Sequence, residues 1–196
     1  MTRHGWWSLG TGAAAGALSA AATMVHFGEI GAPRVFGFCL GLAVGDDCNG
    51  MDLAFYVFPG LVFGALFAAL QAALGRIAPV GALAFALASG VANAAAVFIC
   101  IAVFNVVGNL VDLGIFELPL ALGGAVAGAA GSALLGAAAL ILVPGSRFGR
   151  PVAAGAALGL LTPLMTEFAA AGAFLFYIAW QGGYGLALAS SLPDRV

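Results

Sequence analysis

The chain has 196 residues, 63% of them hydrophobic and 7% charged, with six basic and eight acidic side chains and a formal net charge of -2. Soluble domains carry roughly 25% charged residues, so these few charges cannot clothe a water-soluble core. The balance excludes an ordinary soluble enzyme, a disordered chain and a nucleic-acid binder with a basic footprint, and leaves a polytopic membrane protein whose main partner is the lipid bilayer.

A bilayer core of about 30 Å takes roughly 20 apolar helical residues. Five segments reach that length: 6–27, 53–74, 80–107, 118–143 and 152–180. Strand-like alternation is absent, so the expected fold is all-α: one integral membrane domain of about five transmembrane helices over residues 1–196.

The first segment is mostly Ala, Gly, Ser and Thr, which suits a helix shielded by protein better than one bathed in lipid. Trp6 and Trp7 stand at its start, where interfacial aromatics are expected. The connection after it, 28–52, is the most individual part of the chain. Val35 to Gly45 is apolar but too short to span, and Pro33 suits a helix start. A short extra helix on the bundle or a re-entrant segment fits it.

Cys39 and Cys48 fall in the same loop, on what the charge pattern makes the outer side, where a disulfide could form. Asp46, Asp47, Asn49 and Asp52 crowd hard oxygens around Gly50. A solvated acidic turn and a Ca2+ site both fit, although a complete twelve-residue calcium loop is missing. No other cofactor is expected, since there is no Cys-x-x-Cys and only His4 and His26 are available as imidazoles.

Small residues four apart recur along the next segments: Gly12/Gly16, Gly60/Gly64, Gly124/Gly128 and Gly155/Gly159, with Ala88, Ala92 and Ala96 in the third. Each set makes a groove on one helix face. Such grooves serve packing within the chain, a homo-oligomer, or docking to partner membrane subunits. Gly75-Arg76 before Pro79 and Gly149-Arg150 before Pro151 mark two turns, with proline opening the following helix.

The arginines sort by connection. Four of the six, Arg3, Arg76, Arg147 and Arg150, lie on one set of connections, while Arg34 and Arg195 lie with Glu29, Asp46, Asp47, Asp52, Asp112, Glu117 and Asp194 on the other. The positive-inside rule then predicts a multi-pass protein of the inner (cytoplasmic) membrane, N-terminus cytoplasmic and C-terminus outside. Tyr177, Trp180 and Tyr184 fit an outer aromatic belt at the end of the fifth segment.

That fifth segment holds the chemistry. If straight, 152–180 would reach about 43 Å, more than the core requires. Pro163 frees the carbonyl of Gly159, and Thr162, Thr166 and Glu167 cluster beside it. Broken helices with polar groups are how transporters expose backbone to solute or ion, and an intramembrane acid marks a functional site by default. Asn93 lies at similar depth in the third segment and is the expected partner of Glu167. No nucleophile or phosphate-loop motif is present, so the reading leans away from an enzyme. Two functions compete: a small transporter, channel or ion-coupled component built around Glu167, Thr166, Thr162, Pro163 and Asn93, and a non-catalytic accessory or scaffold subunit of a larger membrane complex.

Overall fold

The computed structural model describes residues 3–26, 53–110, 117–167 and 169–193. All of their regular structure is helical: α1 Arg3–His26, α2 Leu53–Ala73, α3 Pro79–Leu110, α4 Glu117–Leu142, α5 Gly149–Gly159, α6 Leu164–Glu167 and α7 Ala169–Ala189. The expected extra element at 35–45 lies outside the described residues.

Neighbours pack in the order α1–α2–α3–α4–α5–α7 and back to α1, which closes a ring of rods. Each neighbouring pair is antiparallel. Ser8 meets Gln71 while Ser19 meets Pro59, which sets α1 against α2. Gly64 meets Ala86 while Gly60 meets Asn93, which sets α2 against α3. Gly123 lies on Cys100 and Gly131 on Ala92, setting α3 against α4. Gly128 lies on Gly155 and Gly124 on Gly159, setting α4 against α5.

The turns show how the chain reverses so sharply. After α2, Gly75 adopts φ 67°, its N–H donates to Ala72 O (2.8 Å) and the Arg76 N–H donates to Gln71 O (2.8 Å). This is a Schellman closure, and the left-handed residue in it is glycine because a Cβ would be strained there.

Three helices among the described residues, α2, α3 and α4, are long and apolar enough to cross a membrane, where five were expected. The first expected span is a continuous helix of 24 residues, but its Ala/Gly/Ser/Thr surface is too weakly apolar to qualify. The fifth is not one helix. Residues 152–180 are divided among α5, α6 and α7, and the chain reverses inside them: Arg147 N–H donates to Ser191 O (2.8 Å), and Leu158 packs on Gly183. The apolar run continues to Ala189, so its composition fits a hairpin as well as a straight rod.

Two expectations change with that reversal. The end of α7 lies at the same face of the bundle as the α2–α3 and α4–α5 turns, where Arg76 Nη1 also donates to Ala189 O (3.4 Å). Because α7 runs against α1, the described N- and C-terminal ends share a face rather than lying on opposite ones. Tyr177, Trp180 and Tyr184 stand mid-way along α7, not at its end, and two of them are buried (Tyr177 6% and Tyr184 2% exposed). Those two are core residues rather than an aromatic belt, and Trp180 is half-buried between them. Trp6 and Trp7, by contrast, are exposed near the arginine face, as expected.

The interior and exterior are inverted relative to a soluble protein. Val80, Leu83, Leu87, Val91, Phe98 and Val106 form an exposed apolar stripe along α3, and α4 exposes Leu118, Leu122, Val126, Leu134 and Ile141. Ser8, Ser19, Gln71, Ser89, Asn93, Ser132 and Gln181 are buried. Apolar outside with hydrogen-bonded polar groups inside is the arrangement that lipid solvent selects. The chain is a membrane protein of helical type. Its apolar core is densest toward the arginine face, where Phe67, Ile77, Phe85, Val143, Leu188 and Leu192 pack together.

Every recurring glycine pair is used inside the chain. A Cβ on Gly12 would lie 2.9 Å from Gln181 C and Gly182 Cα, and one on Gly16 2.7 Å from Ile178 Cα. Gly60 and Gly64 receive α3 in the same way, and Gly124/Gly128 interlock with Gly159/Gly155.

Candidate functional site

The site is built where α5 stops. Pro163 has no N–H to give to Gly159 O, so that carbonyl is open to another donor. Thr162 takes both roles: its N–H (3.1 Å) and its hydroxyl (2.5 Å) donate to Gly159 O. Leu161 N–H donates to Leu158 O, Leu164 N–H to Leu161 O and Met165 N–H to Thr162 O, each spanning three residues, so the backbone passes the break in tight 3₁₀-like turns. The close approach of Gly124 to Gly159 and Thr162 presses this turn against α4.

Beside the break lies a cleft of about 230 Å³ between α3, α4, α5–α6 and α7, in the half of the bundle away from the arginine face. Its wall is largely apolar: Ala96, Val97, Cys100, Ile101, Met165 and Phe176. Asn93, Thr162 and Tyr177 are its polar side chains, and no charged side chain is among its described lining residues. Trp180 closes the inner end. Behind the indole is a second, smaller cavity of about 20 Å³, walled by Ser89, Asn93, Ser132, Tyr184, Leu135 and Phe63 among others. Phe176, Trp180 and Tyr184 stack along α7 with ring planes 12° apart at each step.

The expected site residues are brought together in part. Thr162 and Asn93 both line the cleft, with Pro163 in the break beside it. The Asn93 amide donates to Tyr56 O in α2, and its expected pairing with Glu167 lies outside the described residues. That bond ties α3 to α2 one turn before Pro59. The side chains of Thr166 and Glu167 lie outside the described residues. So do Cys39 and Cys48 with their expected disulfide, and the candidate Ca2+ ligands Asp46, Asp47, Asn49 and Asp52. Among the described residues no three His, Cys, Asp or Glu side chains converge, and Cys100 is a free thiol.

Sequence reasoning passed over a second polar cluster. Gln181 Nε2 donates to Ser19 Oγ (3.0 Å) and Pro59 O (3.2 Å), tying α7, α1 and α2 together at the α2 proline. Gln71, near the end of α2, is fully buried and donates to Ser8 Oγ (3.3 Å), while its Oε1 has no partner. Both glutamines stand in apolar runs, and an amide there has to face protein; that was the available signal. Ser132 Oγ and Tyr184 Oη are likewise buried, and both residues line the small cavity. The two hydroxyls are close enough to interact, without the geometry of a full hydrogen bond.

Comparison with known protein families, with curated proteins and with solved structures finds no match, so the geometry of the chain itself carries the functional argument.

Proposed function

We propose that this chain is a small transporter of the cytoplasmic membrane, whose solute path runs along the α5–α6 break. The observation that carries this reading is the juxtaposition of a broken helix, its unwound turn and a cleft reaching to Asn93. A transmembrane helix gives up its hydrogen-bond ladder only where another group, or a cavity, takes over. Glu167 follows the break by a few residues, and we assign it the coupling role, taking up a proton or cation as the segment moves. In this reading α1, α2, α3, α4, the α5–α6 segment and α7 make six crossings. The arginine-rich turns, the start of α1 and the end of α7 then all lie in the cytoplasm.

The competing reading, an accessory subunit docked through glycine grooves, has lost its main support. The grooves are filled by the chain's own helices. Among the described residues a partner would meet exposed apolar surface such as that of α3 and α4, which lipid covers equally well.

Alternating access tests the proposal without knowing the solute. In a variant with Cys39, Cys48 and Cys100 replaced by serine, Thr162→Cys should react with a membrane-impermeant maleimide from either side of proteoliposomes. The rate from the outside should depend on the lumenal pH, and Glu167→Gln should abolish that dependence. A thiol at position 162 that reacts from neither side would overturn the transport reading. Topology is tested separately: Arg147→Cys and Ser190→Cys should be labelled from the same side.

A further inference from the structure

The cleft and the small cavity share Asn93, Ala96 and Trp180, so the Trp180 indole is a partition between two compartments. The outer compartment is apolar and of useful size. The inner one has room for about one water and carries two hydroxyls, of Ser132 and Tyr184, each on a residue 2% exposed and each without a hydrogen-bond partner. Orphaned polar groups this deep are costly, and native proteins retain few of them without a use. An inner end lined by two hydroxyls and an outer end that is largely apolar, with Asn93, Thr162 and Tyr177 as its polar side chains, is complementary to one kind of molecule.

We propose that the two compartments form a single binding site for a neutral amphiphile: an apolar body in the cleft, with one hydroxyl or carbonyl head reaching past Trp180 to Ser132 and Tyr184. The described lining is uncharged and largely apolar, which suits a neutral ligand. It argues against a plain acyl chain, which would leave both hydroxyls unpaired. Trp180 is the element that moves, as a flat ring stacked between Phe176 and Tyr184 that opens the partition by changing rotamer. The inference deepens the transport reading by naming its class of cargo. It rests on that reading only for the steps after binding, and is tested by binding alone.

The probe is 4-bromobenzyl alcohol, whose bromine quenches tryptophan on contact. Its control is 1-bromo-4-ethylbenzene, an isostere without the hydroxyl. In a Trp6→Phe/Trp7→Phe background Trp180 is the single tryptophan, since the chain has three. In bilayer nanodiscs the alcohol should quench Trp180 saturably and with an affinity about tenfold tighter than the isostere. Ser132→Ala/Tyr184→Phe should remove that preference. Val97→Phe, which fills the cleft from α3 and leaves the hydroxyls in place, should remove the saturable component for both compounds. Equal quenching by alcohol and isostere, a preference that survives the double variant, or saturation that survives Val97→Phe would each overturn the proposal. These results do not depend on Thr162→Cys accessibility, so binding can fail while alternating access stands, or the reverse.

Discussion

The α1–α7 seam and the α4–α5 seam are made from the same device and come out differently. In both, two glycines four residues apart let antiparallel helix backbones touch: Gly12/Gly16 on Gln181 and Tyr177, and Gly124/Gly128 on Gly159 and Gly155. The α1–α7 seam joins helices of 24 and 21 residues, and the Gln181 amide closes it onto Ser19 and Pro59. The α4–α5 seam joins α4 to a helix of 11 residues that ends at Gly159, and the Ser132 hydroxyl on it is unpaired. Glycine thus sets how near two helices come. Whether the contact is rigid depends on the continuity of the backbone behind it and on whether its polar groups are paired.

The largest effect should come from putting one methyl into each seam. Gly12→Ala places a Cβ against the backbone of an unbroken helix, where neither Gln181 C nor Gly182 Cα can yield. A loss of about 3 kcal/mol or more is expected, read as a fall in thermal midpoint in detergent. Gly124→Ala meets Thr162 and Gly159 instead, at the end of α5, where the turn can shift. About 1–2 kcal/mol is expected there. Equal losses would break the comparison, because they would make the α5–α6 turn as stiff as α7.

A smaller effect should follow from the polar closure. Gln181→Leu keeps much of the volume and removes the amide that joins Ser19 Oγ and Pro59 O. Interhelical hydrogen bonds in membranes contribute modestly, so about 1 kcal/mol is expected from a denaturant titration. No loss would mean that glycine contact alone holds α1 to α7.

Much of this was legible in the sequence, and the parts that were not have physical reasons. The three long apolar helices follow from composition. Pro163 gave away the break, and Gly159 O does turn to Thr162. What composition could not separate was a straight crossing from a hairpin, since the residues from Val152 to Ala189 are apolar throughout and carry Glu167 as their one charge. Placing the helix end at Trp180 then turned the buried Tyr177 and Tyr184 into a belt. Depth along a helix says nothing about azimuth, and Asn93 faces α2 as well as the cleft.

The smallest prediction isolates contact from propensity. Gly10 lies two residues before Gly12 on α1, is exposed, and has nothing within 4 Å of where its Cβ would stand. Intrinsic helix preference alone then decides, and Gly10→Ala should stabilise by about 0.5 kcal/mol. The same substitution two residues apart is therefore expected to change sign, because two steps of about 100° each carry the methyl from open surface to the backbone of α7. If Gly10→Ala also destabilised, something outside the described helices would have to cover that side of α1. The exposed stripe beside Trp6 and Trp7 would then be a contact surface rather than the lipid face assigned to it.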